Sequence, residues 1–199
     1  MKLYFKAGAC SLASHIILGE LNLEHASEAV DLATKKTASG KDFTAISAKG
    51  YVPCLELDDG TILTEGTVIL QYLADRKTGH HLLAPQGMDR YRMLEWLGFI
   101  NSEIHKNFSP LFNPKMPAEA KALAKALLLR RLEVAANALQ SHPYLTGEHF
   151  GIADAYLYTV LTWAQPMGVD LHAWPQFDAY MKRIAERPSV KRAHQIEKG

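Results

Sequence analysis

Little in this chain is extreme, and what is scarce narrows the field. Lys and Arg number 22 against 21 Asp and Glu, a formal net charge of +1. So slight an excess leaves no electrostatic footprint for nucleic acid, and no nucleic-acid partner is expected. No apolar run approaches the roughly 18 to 20 residues of a bilayer span, so no membrane partner is expected either. The first ten residues enter a strand-like pattern at once, without the apolar core of a secretory signal. The expected location is therefore the cytoplasm. Cysteine occurs only at Cys10 and Cys54, and in a reducing compartment two free thiols are expected rather than a disulfide. The nine His residues show no metal-ligand spacing such as H-x-x-x-H, so no metal is expected.

What is present is enough to build a core: 199 residues, 48% of them hydrophobic, in one domain or two small ones. The chain changes character near residue 80. Before it, Lys2–Phe5 reads as a strand, Ser11–Leu21 as a helix and Glu28–Leu32 as a second strand, while Asp42–Ser47 has room for a helical turn or two. Two short alternating runs, from Cys54 and from Thr61, flank Asp58-Asp59-Gly60, a hairpin signal. A helix follows Thr64-Glu65-Gly66. The order βαβαββα predicts an α/β domain with a mixed sheet. His80 to Gly87 has no periodicity and contains Pro85. Beyond it every segment has helical spacing: 89–107, 117–141, 151–165, 175–187 and a short helix after Pro188. The expected division is an α/β domain over 1–80, a linker over 81–88 and an all-α domain over 89–199.

Chemistry-bearing residues gather at the turns of the first half. Cys10 lies at the head of the first helix, where unpaired amides and the helix dipole favour negative charge. Such a thiol is expected to ionise more easily, or to stabilise a bound thiolate; the alternative is an inert buried cysteine. Position 13 is alanine, so a C-x-x-C dithiol is excluded. Pro53 sits where a strand begins, as a residue without an N–H must. A cis bond there aims the Val52 amide and carbonyl outward, although base frequency favours trans. Thr64-Glu65-Gly66-Thr67 opens a helix and suits a zwitterion, with amides for its carboxylate and Glu65 for its ammonium. Simple capping by Thr64 explains the same residues. In the second half, Gly98, Asn101, Ser102 and His105 are spaced as one polar helical stripe, and His105 has the chemistry of a proton carrier.

Together Gly8-Ala9-Cys10-Ser11, Tyr51-Val52-Pro53, Leu63-Thr64-Glu65-Gly66 and Ile152-Ala153-Asp154 resemble the glutathione S-transferases. Cys10 with Ile104-His105-Lys106 and Ser109-Pro110-Leu111-Phe112 resembles the bacterial beta class. The likeness spans essentially the whole chain, in order, and implies a thioredoxin-like N-terminal domain (βαβαββα) followed by an all-α domain. It also implies a cis bond before Pro53, a cytoplasmic homodimer, glutathione as co-substrate and a small apolar electrophile as second substrate, in a detoxifying role. By resemblance, Cys10 and His105 are catalytic. Cys10, Lys35, Val52, Glu65, Gly66, Ser102, Glu103 and His105 contact glutathione. Lys35 meets the glycyl carboxylate, Val52 the cysteinyl backbone, and Glu65 with Gly66 the γ-glutamyl end. Conjugation through the glutathione thiolate is the expected reaction, with thiol–disulfide exchange or reductive dehalogenation through Cys10 as a variant. The alternative is a non-catalytic binding module of the same fold.

Three residues depart from the family pattern: Gly98 in place of an asparagine, Gly151 in place of a Ser or Thr helix cap, and Cys54 in place of an aliphatic residue. Losing a cap hydroxyl to glycine is expected to cost a few tenths of a kcal/mol, with Asp154 reaching back to the cap amide. Cys54 is expected to be a core thiol.

Overall fold

The strand expected at the N-terminus is the centre of a five-stranded mixed sheet in the computed structural model, which describes residues 1–198. β1 (Lys2–Phe5) runs parallel to β2 (Ala26–Asp31) and antiparallel to β4 (Cys54–Glu56). The Asp58-Asp59-Gly60 turn joins β4 to β5 (Ile62–Thr64), in the register Cys54↔Thr64. The hairpin forms where the sequence indicates it. A two-residue strand, β3 (Lys36–Thr37), adds to the outer edge of β2 and completes the order β3-β2-β1-β4-β5. It is too short to leave an alternation in the sequence, so βαβαββα becomes βαββαββα.

Three helices belong to this part of the chain: α1 (Leu12–Glu20), α2 (Phe43–Ile46) and α3 (Gly66–Asp75). Every residue of α1 from Leu12 to Leu18 is buried, because α1 packs against α3 and against the last helix, α9 (Pro188–Lys198). A Cβ on Gly19 would lie 3.3 Å from the Ser189 Cβ. Glycine here is what lets α1 and α9 approach so closely. Arg187 clamps the pair by donating from Nε and Nη2 to the two carboxylate oxygens of Glu20, at 2.8 and 2.7 Å. The chain therefore forms two compact units: residues 1–79 together with the segment that begins at Glu186, and His80–Ala185. This differs from the sequence-based boundary: the chain end after Ala185 groups with the sheet, since the buried face of α9 is used on α1.

The second unit is entirely helical apart from loops and one isolated bridge: α4 (Met88–Phe99), a π-helical segment (Ile100–His105), α5 (Lys106–Phe112), α6 (Ala118–Ala138), α7 (Ile152–Leu161) and α8 (Pro175–Ala185). The helix expected over 89–107 thus changes register midway and runs on to Phe112, with Pro110 inside its last turns. All ten residues of α7 are buried. It is the central helix, with α4, the π segment and α8 packed on it, which explains its lack of a polar face. The buried Asp154 carboxylate accepts the Gly151 N–H at 2.8 Å, the Leu145 N–H at 3.0 Å and the Tyr180 hydroxyl at 3.0 Å. Burial and the neighbouring Asp154 charge push the Tyr180 hydroxyl well above its usual range. None of the helices described is long and apolar enough to cross a membrane.

Candidate functional site

In the first unit, four of the sequence-indicated positions meet along the loops at one end of the sheet. The Val52–Pro53 peptide bond is cis, as the family resemblance implies and base frequency alone does not. The Cys10 thiol donates to the Val52 carbonyl at 3.3 Å. Val52 lies outside the strand pairings, so its N–H is not part of a ladder. Lys35, in the left-handed region at φ 58°, sends its Nζ to the Gly50 carbonyl at 2.9 Å and over the Tyr51 ring at 4.9 Å. It is thus fixed beside the segment that precedes Pro53, whereas its neighbour Lys36 is a solvent-exposed residue of β3.

The head of α3 closes the group. A Cβ on Gly66 would lie 3.5 Å from Pro53 Cγ, so the helix starts directly on the proline ring. The cap position is Glu65, not Thr64, and its side chain makes no capping bond. Glu65 takes φ 69° and ψ 111°, a region costly to a residue with a side chain, by about 1–3 kcal/mol. Its backbone carbonyl accepts the Val68 and Ile69 N–H groups. The N–H groups of Gly66 and Thr67 are the unpaired amides of the helix start. The Glu65 carboxylate points outward to Lys49 Nζ at 2.6 Å, with both side chains more than half exposed.

The state of Cys10 departs from the expectation of an easily ionised thiol. Burial pushes the Cys10 thiol up to about 11, outweighing the lowering effect of the Cys10 and Ser11 amides, while the carboxylates of Glu197 and Glu65 push it further up. Desolvation wins because the helix end offers partial charges only, whereas burial removes the solvation of a full one. Cys54 is fully buried in the core cluster with Tyr4, Val30, Phe43 and Val52, and burial pushes its thiol up to about 11 as well. Among the described residues no cluster suits a metal ion.

In the second unit, the candidates fall on the π-helical segment. Ser102 donates to the Gly98 carbonyl at 3.1 Å, and Asn107 Nδ2 donates to the Glu103 carbonyl at 2.5 Å. These side-chain donors serve carbonyls around the change of register, a local device often found at functional sites. Ser102 is exposed, and Glu103 pairs with Arg131 at 2.8 Å. Gly98 faces open space, with nothing within 4 Å of where a Cβ would be.

His105 and Asn101 converge on Tyr156 of α7. The Tyr156 hydroxyl donates to Asn101 Oδ1 at 3.0 Å, and His105 Nδ1 lies 2.6 Å from the same hydroxyl. With the tyrosine proton committed, Nδ1 carries the hydrogen and Nε2 is left as the acceptor. Trp163 packs edge-on against the His105 ring at 4.8 Å and against Phe108 and Phe112 at 5.6 and 5.3 Å. Burial, with a smaller contribution from Lys106, pulls His105 down to about 4. It is neutral at physiological pH. Neither Tyr156 nor Trp163 is legible as a partner in the sequence, since α7 shows no polar face to mark Tyr156 and Trp163 follows beyond its end.

The model of the glutathione S-transferase N-terminal domain matches residues 7–76, and that of the C-terminal domain matches residues 99–188. Glutathione S-transferase GstA of Escherichia coli O157:H7 is 46% identical over 198 residues, 99% of this chain and 98% of the relative. A sphingomonad glutathione S-transferase solved in complex with glutathione superposes with a TM-score of 0.96 at 42% identity, covering 100% of this chain and 99% of that one. The beta-class enzyme of Sphingomonas chungbukensis gives 0.95 at 41%, covering 99% and 98%.

Proposed function

Since the chain belongs to the glutathione S-transferase family, on its bacterial beta-class side, and is an enzyme of that activity, we propose that it joins glutathione to small apolar electrophiles through the residues described above. The observation that carries this assignment is the gathering of Cys10, Val52, Lys35 and the Glu65–Gly66 helix head around cis-Pro53. Each offers what one part of the tripeptide needs. The Gly66 and Thr67 amides suit the γ-glutamyl carboxylate, and the Glu65 carboxylate its ammonium. The Val52 amide suits the cysteinyl backbone, and Lys35 Nζ the glycyl carboxylate.

The reaction is a substitution at an electrophilic carbon: the glutathione S–H loses its proton, sulfur bonds to carbon, and the leaving group departs with its electron pair. A Cys10 thiol that stays protonated serves, by turning its S–H from the Val52 carbonyl to that sulfur, as a donor rather than as the attacking group. This favours conjugation over a mixed disulfide on Cys10. His105 is assigned to the catalytic site through Nε2, an unprotonated acceptor at neutral pH although burial makes it a weak base. Ser102 and Glu103 are assigned as further glutathione contacts, for which the exposure of Ser102 and the half-buried position of Glu103 beside it on the π segment are the support. Phe112, exposed and packed edge-on against the buried Trp163, suits contact with a planar apolar electrophile.

The enzyme is assigned as a cytoplasmic homodimer. Large apolar side chains are exposed in each unit, Tyr51 and Val68 in the first, Met88 and Tyr91 in the second, and light scattering at micromolar concentration checks the assembly. The assay is conjugation of glutathione to an activated aryl halide and reduction of a small mixed disulfide, each on wild type and Cys10→Ala. We expect conjugation to survive with a raised KM, and disulfide reduction to be weak in both. If conjugation and disulfide reduction are both strong in wild type and both vanish in the variant with glutathione binding intact, Cys10 is the nucleophile and this assignment is wrong.

A further inference from the structure

The Glu65 carboxylate, assigned above to the glutathione ammonium, already has a cation on it. Lys49 Nζ donates to Glu65 Oε1 at 2.6 Å, with both side chains more than half exposed. Backbone structure brings the two together. Lys49 is the third residue of the turn Ser47-Ala48-Lys49-Gly50, closed by the Gly50 N–H on the Ser47 carbonyl at 2.9 Å. Ser47 is tied to α2 through its own N–H, which donates to the Phe43 carbonyl at 2.8 Å. Gly50 is buried, at φ 64°, with Lys35 Nζ on its carbonyl. Across from the turn, the φ of 69° at Glu65 sets the direction in which its side chain leaves the head of α3. Of the two lysines at this turn, Lys35 stays on the Gly50 side, whereas Lys49 reaches the helix head.

We propose that Lys49 is a specificity-determining residue for the γ-glutamyl end: its ammonium stands in for that of the ligand, and glutathione displaces it from Glu65 on binding. This rests on the assignment of Glu65 to the γ-glutamyl ammonium. The group on Glu65 is a primary ammonium before and after the exchange, so the ligand gains there only what exceeds the pair it breaks. Binding to the second carboxylate oxygen does not escape the competition, because two ammonium groups on one carboxylate repel each other. A ligand without an amino group leaves the Lys49–Glu65 pair intact and gains nothing from Glu65.

The sign of the effect separates competition from its alternative. Glutathione carries two carboxylates and one ammonium, so plain charge attraction predicts that removing a cation beside its site weakens binding. Competition predicts the reverse. Dissociation constants are measured by titration calorimetry for glutathione and for glutaryl-cysteinylglycine, which is glutathione without its amino group. For Lys49→Met we expect the Kd for glutathione to fall about two- to fivefold, the scale of an exposed ion pair, and the Kd for the analogue not to fall. Lys49→Arg keeps the pair and should bind glutathione within about twofold of wild type. If Lys49→Met binds glutathione no more tightly than wild type, or tightens on the analogue by the same factor, Lys49 is not a competitor and the inference is overturned. Calorimetry needs no turnover. A wild type that binds glutathione without conjugating it sinks the functional assignment and still decides this one, while a wild type that binds no glutathione sinks both.

Discussion

The Tyr156 hydroxyl stands between Asn101 and His105, donating to the first at 3.0 Å and lying 2.6 Å from Nδ1 of the second. The order of this chain of hydrogen bonds fixes the histidine tautomer, so the nitrogen available for proton transfer is Nε2. Outer hydrogen bonds of this kind commonly set the orientation and basicity of a functional imidazole. Tyr156→Phe keeps the ring packed and removes the hydroxyl. We expect kcat for conjugation to fall about three- to tenfold, with the KM for glutathione within twofold of wild type. A variant with unchanged kcat shows that the tautomer is set elsewhere.

His105 also leaves a signature in stability. Burial pulls it down to about 4 from 6.5, so between these values the unfolded chain binds more protons at this site than the folded one. Stability at this site therefore falls as pH drops from 6.5 to 4, and does not change with pH above that window. His105→Gln removes the titration. We expect its urea midpoint to lose less than that of wild type between pH 7 and 4.5, although both lose some as carboxylates protonate. Parallel declines in the two proteins contradict a buried neutral His105.

How much of this was legible beforehand depends on the range of the interaction. The Asp58-Asp59-Gly60 hairpin is local turn chemistry and appears in the sequence as it does in space. The head of α1 and the head of α3 are equally local, and Cys10, Glu65 and Gly66 stand where the sequence puts them. What was hidden is set by tertiary packing. The pairing of α9 with α1 depends on Gly19 meeting Ser189 across the fold. The π segment depends on side chains such as Asn107 finding carbonyls that an unbroken α-helix would occupy. The raised Cys10 thiol depends on burial and on a carboxylate 187 positions away in sequence at Glu197, which no reading of the local motif includes.

Lys35 and Lys36 are adjacent in sequence, and only one is tied to the site. Lys35 contacts Gly50 and Tyr51 next to Val52, whereas Lys36 is exposed on β3. Lys35→Met keeps the aliphatic stem and removes the charge. A charge-assisted hydrogen bond to a carboxylate is worth about 1.5–3 kcal/mol, reduced here because Lys35 is only half-buried. We expect the KM for glutathione to rise about five- to thirtyfold with kcat little changed, the pattern of a lost ground-state contact. Lys36→Met serves as the control and should match wild type. Equal effects in the two variants would instead point to general charge attraction.

Gly151 shows why a departure from a family pattern can be forced by a neighbour. Its φ is −128°, which any residue adopts, so backbone geometry does not require glycine. Space does: a Cβ would lie 2.1 Å from Met93 Cε, 2.9 Å from Met93 Sδ and 3.2 Å from the Leu82 carbonyl oxygen. The work of a capping hydroxyl is already done by these neighbours. The Leu82 carbonyl accepts the Ile152 N–H at 3.0 Å, and Met93 Sδ accepts the Ala153 N–H at 3.4 Å. Asp154 holds the Gly151 amide. The cost expected from a lost cap side chain is therefore offset on site. Gly151→Ala forces Met93 aside and pushes on a backbone oxygen, an overpacking cost of about 1–3 kcal/mol. Pairing it with Met93→Val makes room for the new methyl group, so the two substitutions should not add. We expect the double variant to be more stable than the sum of the single changes by about 1 kcal/mol or more in a urea double-mutant cycle. Strict additivity would mean that Met93 moves freely and that glycine at 151 is not required by packing.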